Sequence, residues 1–131
     1  MTVDQVFIIK KLQNLDEMLV AYSAVTRMPF ATCDEESFND QVWIFTDQDK
    51  MKAFAEKYKE EKKLILPVKV QKKDAPMFYM NLFSMGINEV VFCDGDQENK
   101  IELTQIVRMP DVDALPENRK PILNPQLLLS A

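Results

Sequence analysis

Three acidic side chains, Asp94, Asp96 and Glu98, alternate along the run DGDQENK with the spacing of the first, third and fifth ligands of a calcium loop. That loop also requires glycine at its sixth position and a bidentate glutamate at its twelfth, where this chain has Asn99 and Gln105. A polar turn is therefore the better reading, and no metal ligand is assigned. A second acidic group, Asp34, Glu35, Glu36 and Asp40, lies in a connection and reads as a solvated face. Cys33 needs a cationic neighbour to become a nucleophile, and Arg27 and distant lysines are the candidates. A buried, inert thiol is expected instead, for Cys33 and for Cys93, because each sits in an apolar strand-like run.

Composition removes whole classes of chemistry. The chain has no histidine, so the commonest general base, the Ser-His and Cys-His pairs and the commonest metal ligand are missing. Its 2 glycines, Gly86 and Gly95, cannot spell a GxGxxG dinucleotide loop or a GxxxxGK phosphate loop. With 16 basic against 21 acidic residues the formal charge is -5, the wrong sign for neutralising phosphates, so nucleic acid is not an expected partner. No apolar run reaches membrane-spanning length, and the N-terminal lysines follow the short apolar run Val6 to Ile9, the reverse of a secretory signal. A cytoplasmic location is expected. The 131 residues are 47% apolar, enough for one core without disulfides or metals.

These residues are positioned by a strand-to-helix unit, QVWIFTDQDKMKAFAEKY, residues 41–58. Val42, Trp43, Ile44 and Phe45 form a continuous β-branched and aromatic run, expected of a strand covered on both faces. Thr46 and Asp47 offer capping oxygens, and Met51, Phe54, Ala55 and Tyr58 recur on one helix face. Upstream, Thr2 and Gln5 have capping-box spacing, and residues 3–25 read as helical, although Val6 to Ile9 also fits a short strand. Within that span Asn14 is read as a cap and Leu15, Met18, Leu19 and Tyr22 as an apolar stripe. Phe30 to Cys33 is a candidate strand. Leu64 to Val70 reads as an edge strand because of Pro67. A helix over 75–85, capped by Asp74 and ended by Gly86, leads to a strand over 88–93. A polar turn over 94–100 and a strand from Ile101 to Leu103, with a continuation to Val107 as the longer alternative, follow. Two strand-helix-strand crossovers imply right-handed connections and a parallel centre. The expected fold is α/β: a single domain over 1–131, core about 15–108, with a mixed, mostly parallel sheet, helices packed on it, and an extended proline-punctuated C-terminal segment over 109–131 that wraps the domain.

The helix APMFYMNLFSM is apolar most of the way round, with Asn81 and Ser84 as its polar positions. A helix on one face of a sheet needs a single apolar stripe, so the surplus is covered either by the C-terminal segment or by a partner. Tyr79, Met80 and Phe83 are the candidate contact surface for a protein partner or a second copy of the chain. Against this stands a small-molecule or enzymatic site at the carboxyl ends of the strands, where Thr46, Asp47, Asp94 and Gly95 gather. No catalytic residue and no cofactor is assigned.

The runs TRMPFATCD, VWIFTDQDKMKAF and FSMGINEVVFCDG, taken in order, resemble the N-terminal domain of the SseB (enhanced serine sensitivity) family. Phe45, Thr46 and Phe54 match its middle motif, and Gly86 with Val90, Val91 and Phe92 matches its last. Cys93, Asp94 and Gly95 stand where that family has Asn-Pro-Gly. The resemblance covers residues 15–95 and implies a small α/β domain of bacterial proteins, without catalytic residues to transfer. A cytosolic, non-enzymatic interaction module is the leading expectation.

Overall fold

The computed structural model describes residues 2–108, so the segment 109–131, expected to wrap the domain, lies outside the described residues. Helix α1, Val3–Gln13, opens with the capping box read from the sequence. The Gln5 amide donates to the Thr2 hydroxyl at 3.2 Å, and the Thr2 amide donates to Gln5 Oε1 at 2.9 Å. Asn14 then closes this helix as its C-cap and starts no second one. Met18, Leu19 and Tyr22, expected on a helix stripe, belong instead to strand β1, Glu17–Ser23. The apolar residues of EMLVAYS are consecutive, so helical spacing and strand alternation fit the same letters. Burial on two sides decides between them, because Met18 and Val20 enter one core cluster while Leu19 and Ala21 enter another.

Strand β2, Ala31–Cys33, and strand β3, Asp40–Phe45, are followed by helix α2, Gln48–Lys59, and strand β4, Ile65–Gln71. Helix α3, Ala75–Ser84, strand β5, Glu89–Asp94, strand β6, Gln97–Glu102, and helix α4, Leu103–Arg108, complete the described chain. The six-stranded sheet has the order β4-β1-β3-β5-β6, with β2 also paired to β3. β3, β4 and β5 share one direction, as crossovers through α2 and α3 require. β1 lies between β4 and β3 and is antiparallel to both. β3 and β5 are therefore the parallel neighbours, while the pairs β1 with β3, β1 with β4, β2 with β3 and β5 with β6 are antiparallel. The sheet is mixed but mostly antiparallel, which corrects the expected parallel majority. The cause is the strand at residues 17–23 that was read as helix.

Alternation splits the core into two layers. Val42, Ile44, Val90 and Phe92 pack with α1, α3 and α4 through Ile9, Leu12, Phe78, Leu82 and Ile106. Phe45, Val91 and Cys93 pack on the other face with Met51 and Phe54 of α2, flanked by the half-buried Trp43, Phe30 and Tyr58. Trp43 also donates from Nε1 to the Thr32 hydroxyl at 2.8 Å, which ties β2 to β3.

The element ends follow local chemistry, with three departures from expectation, at Asp74, at the turn after β5 and at residues 103–108. Gly86, at φ +81, ends α3 with amide bonds from Gly86 to the Phe83 carbonyl and from Ile87 to the Leu82 carbonyl, both 3.1 Å, the pattern of a Schellman motif. The side chain of Asp74 makes no capping bond, because a short 3-10 turn over Lys72–Asp74 leads into α3 instead. The polar turn after β5 is only Gly95-Asp96, with Asp94 paired to Gln97 and Gly95 at φ +61 as in a two-residue hairpin. β6 therefore starts earlier than expected, and residues 103–108 are helical where a strand was expected, burying Leu103 and Ile106 on one face.

Phe92 is fully buried where Phe7 is 71% exposed. Phe92→Ala is expected to lower urea-measured stability by about 3–5 kcal/mol through loss of contacts and the cavity left behind. Phe7→Ala should change it by less than about 0.5 kcal/mol, as at other exposed sites.

Candidate functional site

α3 meets the core along one side only. Phe78 and Leu82 are buried, and Tyr79 is 6% exposed with its hydroxyl donating to Met18 Sδ at 3.5 Å. Burial pushes the Tyr79 phenol far above its ordinary value, so it stays neutral. Of the three side chains expected on the contact surface, Tyr79 is thus a core residue of β1 and α3. Met80 and Phe83 face outward at 49% and 52% exposure, joined by Met77 at 67%. Fully burying one such side chain is worth about 1.5–3 kcal/mol, so this face is an appreciable reservoir of binding energy.

Beside that face runs a groove of about 650 Å³. Met77, Asn81 and Met85 line it from α3, Val70 and Lys69 from β4, Asp74 from the turn before α3, and Arg27 and Met28 from the turn after β1. Arg27 sits at φ +58 in the turn between β1 and β2, where the Ser23 amide bonds to the Met28 carbonyl at 2.9 Å. The contribution of Arg27, Met28 and Lys69 has no signal in the sequence, because the three come from separate segments that meet only once β1 pairs with β4.

At the carboxyl ends of β3 and β5 the expected ligand residues divide. Register pairs Phe45 with Cys93, which brings Thr46 beside Asp94, and the Thr46 hydroxyl donates to Asp94 Oδ1 at 3.2 Å. Lys11 of α1 forms an ion pair with the other oxygen of Asp94. Asp47 is turned away to cap α2, accepting from the Asp49 amide at 2.8 Å. Gly95 forms the hairpin turn, and Lys50 pairs with its neighbour Asp96 at 2.5 Å. These groups satisfy one another across α1, α2, β3 and β5, which is a fastening of the strand ends.

The opposite end of the same two strands holds a second polar cluster. Gln41 and Glu89, both buried, are register partners, and Gln41 Nε2 donates to Glu89 Oε1 at 2.6 Å. Gln41 also donates to Asp34 at 3.3 Å, and Lys100 of β6 pairs with the same Asp34 oxygen at 2.7 Å. The Lys100 hydrogen bond, backed by the Glu36 and Ser37 amides, lowers the Asp34 carboxyl to about 2, and the same contact raises Lys100. Asp34, expected on a solvated connection, thus links β2, β3 and β6. Among the described residues no group of three or more histidine, cysteine or acidic side chains is placed to hold a metal ion, and no helix is long and apolar enough to cross a membrane.

The two cysteines differ. Cys93 is buried, and burial with the nearby Glu98 charge pushes its thiol up to about 12. Cys33 is exposed, contrary to the expectation of a buried thiol, because β2 is short and its side chain lies outside the core. Both are free thiols.

Searches of protein-family profiles, curated proteins and solved structures returned no match for this chain.

Two outcomes follow from these clusters. Because the folded Asp34 carboxyl lies below its unfolded value of about 3.9, its stabilisation is present above that pH and is lost as pH falls towards the folded value. Asp34→Asn should therefore lower Tm at neutral pH and converge with the wild type in strong acid; a Tm gap that does not change with pH would rule out ionisation as the cause. An aromatic disulfide reagent should titrate Cys33 alone in the native protein and reach Cys93 only in denaturant. Rapid native reaction of both thiols would contradict the buried position of Cys93.

Proposed function

We propose that this protein is a non-enzymatic interaction module that takes an aliphatic segment of a protein partner on the outer face of α3 and in the adjoining groove. The observation that carries this reading is the row Met77, Met80 and Phe83, exposed beside a groove rimmed by Met28 and Met85. Methionine side chains repack around irregular aliphatic ligands at low cost, which suits a docking face. The charged Arg27 and Asp74 line the groove together with its apolar side chains, which matches the usual layout of an apolar contact accompanied by polar groups. We also propose kinship with the SseB N-terminal domains, on Phe45, Thr46, Phe54, Gly86, Val90, Val91 and Phe92. That kinship adds no residue to the face.

The competing reading, a ligand site at the strand ends, has its polar groups committed to each other: Asp94 to Thr46 and Lys11, and Asp47 to the start of α2. A small molecule entering there has to displace an ion pair and a helix cap. The α3 face requires no such loss, so we favour it. The third reading, a homo-oligomer, uses the same face and differs in its concentration dependence.

The variant that tests the proposal is Met80→Glu with Phe83→Glu; Tyr79 is unsuitable because a charge at that buried position disrupts the core. Immobilised full-length wild type should retain a partner from its native lysate near stoichiometry, and the double variant should lose it while keeping the wild-type circular dichroism and Tm. Identical recovery by both proteins would overturn the assignment of the face. A mass that rises with concentration in the wild type and not in the variant would replace the hetero-partner with a second copy.

A further inference from the structure

We infer that the α3 face is a modification site: a peroxide oxidises the thioethers of Met28, Met77, Met80 and Met85 to sulfoxides in the folded protein, which closes the face to an apolar partner. This rests on the reading of α3 as a docking face and assigns its regulation. The distribution of sulfur carries it. The methionines of the described residues are Met18, Met28, Met51, Met77, Met80 and Met85, and they fall into two groups. Met18 and Met51 are buried, one on each side of the sheet. Met77, Met80, Met28 and Met85 are 67%, 49%, 46% and 36% exposed. All four belong to one surface, because Met77 and Met80 stand a helical turn apart on α3 while Met28 and Met85 join Met77 in lining the groove. The oxidisable thioethers and the docking face thus coincide.

The step is a two-electron oxygen transfer. A sulfur lone pair attacks one oxygen of hydrogen peroxide, the S–O bond forms as the O–O bond breaks, and the proton on the transferred oxygen passes to the leaving oxygen, which departs as water. Sulfur is oxidised and the peroxide is reduced. Reaction requires access to the sulfur, which the buried Met18 and Met51 deny. The Met18 sulfur also accepts the Tyr79 hydroxyl at 3.5 Å, which engages a lone pair. The product is a polar, chiral side chain where a soft apolar one stood. Each sulfoxide covered by an aliphatic partner without a hydrogen-bond donor weakens docking about tenfold. The fold is spared, because Phe78, Tyr79 and Leu82, which anchor α3 to the core, carry no sulfur.

The test uses the full chain with Cys33→Ser, which removes the exposed thiol as a competing site. It is treated with hydrogen peroxide, quenched with catalase and mapped by peptide mass spectrometry, while the apolar dye anilinonaphthalene sulfonate reports on the face. Oxygen uptake should be at least about tenfold slower at Met18 and Met51 than at the four exposed sites, and the difference should vanish in denaturant. Dye affinity should fall about tenfold in step with uptake at those four, at unchanged circular dichroism. The chain with Met28→Leu, Met77→Leu, Met80→Leu and Met85→Leu should give the same dye affinity before and after peroxide, whatever its starting level. Equal uptake at buried and exposed methionines, or a peroxide effect that persists in the leucine chain, would overturn the modification site. Absence of dye binding by the untreated chain would remove the docking face and the switch with it. The two readings also fail separately in partner capture: capture lost in Met80→Glu, Phe83→Glu but kept after complete oxidation removes the switch alone. Capture kept in both removes the docking face as well, and capture lost on oxidation yet kept by that variant places the effect outside α3 and overturns both.

Discussion

The parallel ladder between β3 and β5 is the constraint on which the remainder of the structure depends. Its register runs from Gln41 with Glu89 to Phe45 with Cys93, and its side chains are buried on one side of the sheet or the other apart from the half-buried Trp43. Strands covered on both faces require helices on both faces, and the chain supplies α2 for one layer and α1, α3 and α4 for the other. Polar groups are pushed to the two ends of the ladder. At one end they form the Gln41, Glu89, Asp34 and Lys100 cluster, and at the other the Thr46, Asp94 and Lys11 contact. Both ends are internally bonded, which keeps buried donors and acceptors paired and leaves the strand ends closed.

The same layering explains why α3 is the exposed apolar surface. Its inner side is filled by Phe78, Tyr79 and Leu82 against β1 and β4, and its flank by α4. A ten-residue helix carrying six large apolar side chains has more of them than one sheet face and one neighbouring helix can cover. Met77, Met80 and Phe83 are the remainder. The groove beside them is bounded by the edge strand β4 and by the turn after β1, which folds back along β1 with Pro29 bridged to Tyr22.

Much of the local structure was legible in the sequence. The Thr2 and Gln5 capping box, the Asp47 cap, the Met51 and Phe54 stripe, the edge position of the strand with Pro67 and the Gly86 stop each depend on neighbours within one or two helical turns or on a single backbone restriction. The misreadings share a different cause. Residues 18–22 are apolar without interruption, so no periodicity distinguishes helix from strand. β6 is a polar edge strand with Ile101 as its single fully buried side chain, and it lacks the alternation that marks a strand. Cys33 occupies an apolar-looking run, yet a three-residue strand leaves it at the surface.

The candidate site divides along the same line. Composition already excluded histidine chemistry and glycine-rich phosphate loops, and the apolar excess of α3 was visible in its letters. Which of those letters face water was not, because Tyr79 and Phe83 stand one helical turn apart and differ only in what the sheet places beneath them. The sequence by itself determined the caps at Thr2 and Asp47, the stop at Gly86 and the identity of the two central strands, all set by backbone restrictions and nearby hydrogen-bonding groups. Tertiary structure alone decided that β1 separates β4 from β3, that Arg27 and Met28 line a groove beside α3, and that Asp94 is paired with Lys11, 83 residues away in the chain. Those outcomes depend on strand order, and strand order is chosen by the burial of whole faces at once, a quantity that no local run of residues carries.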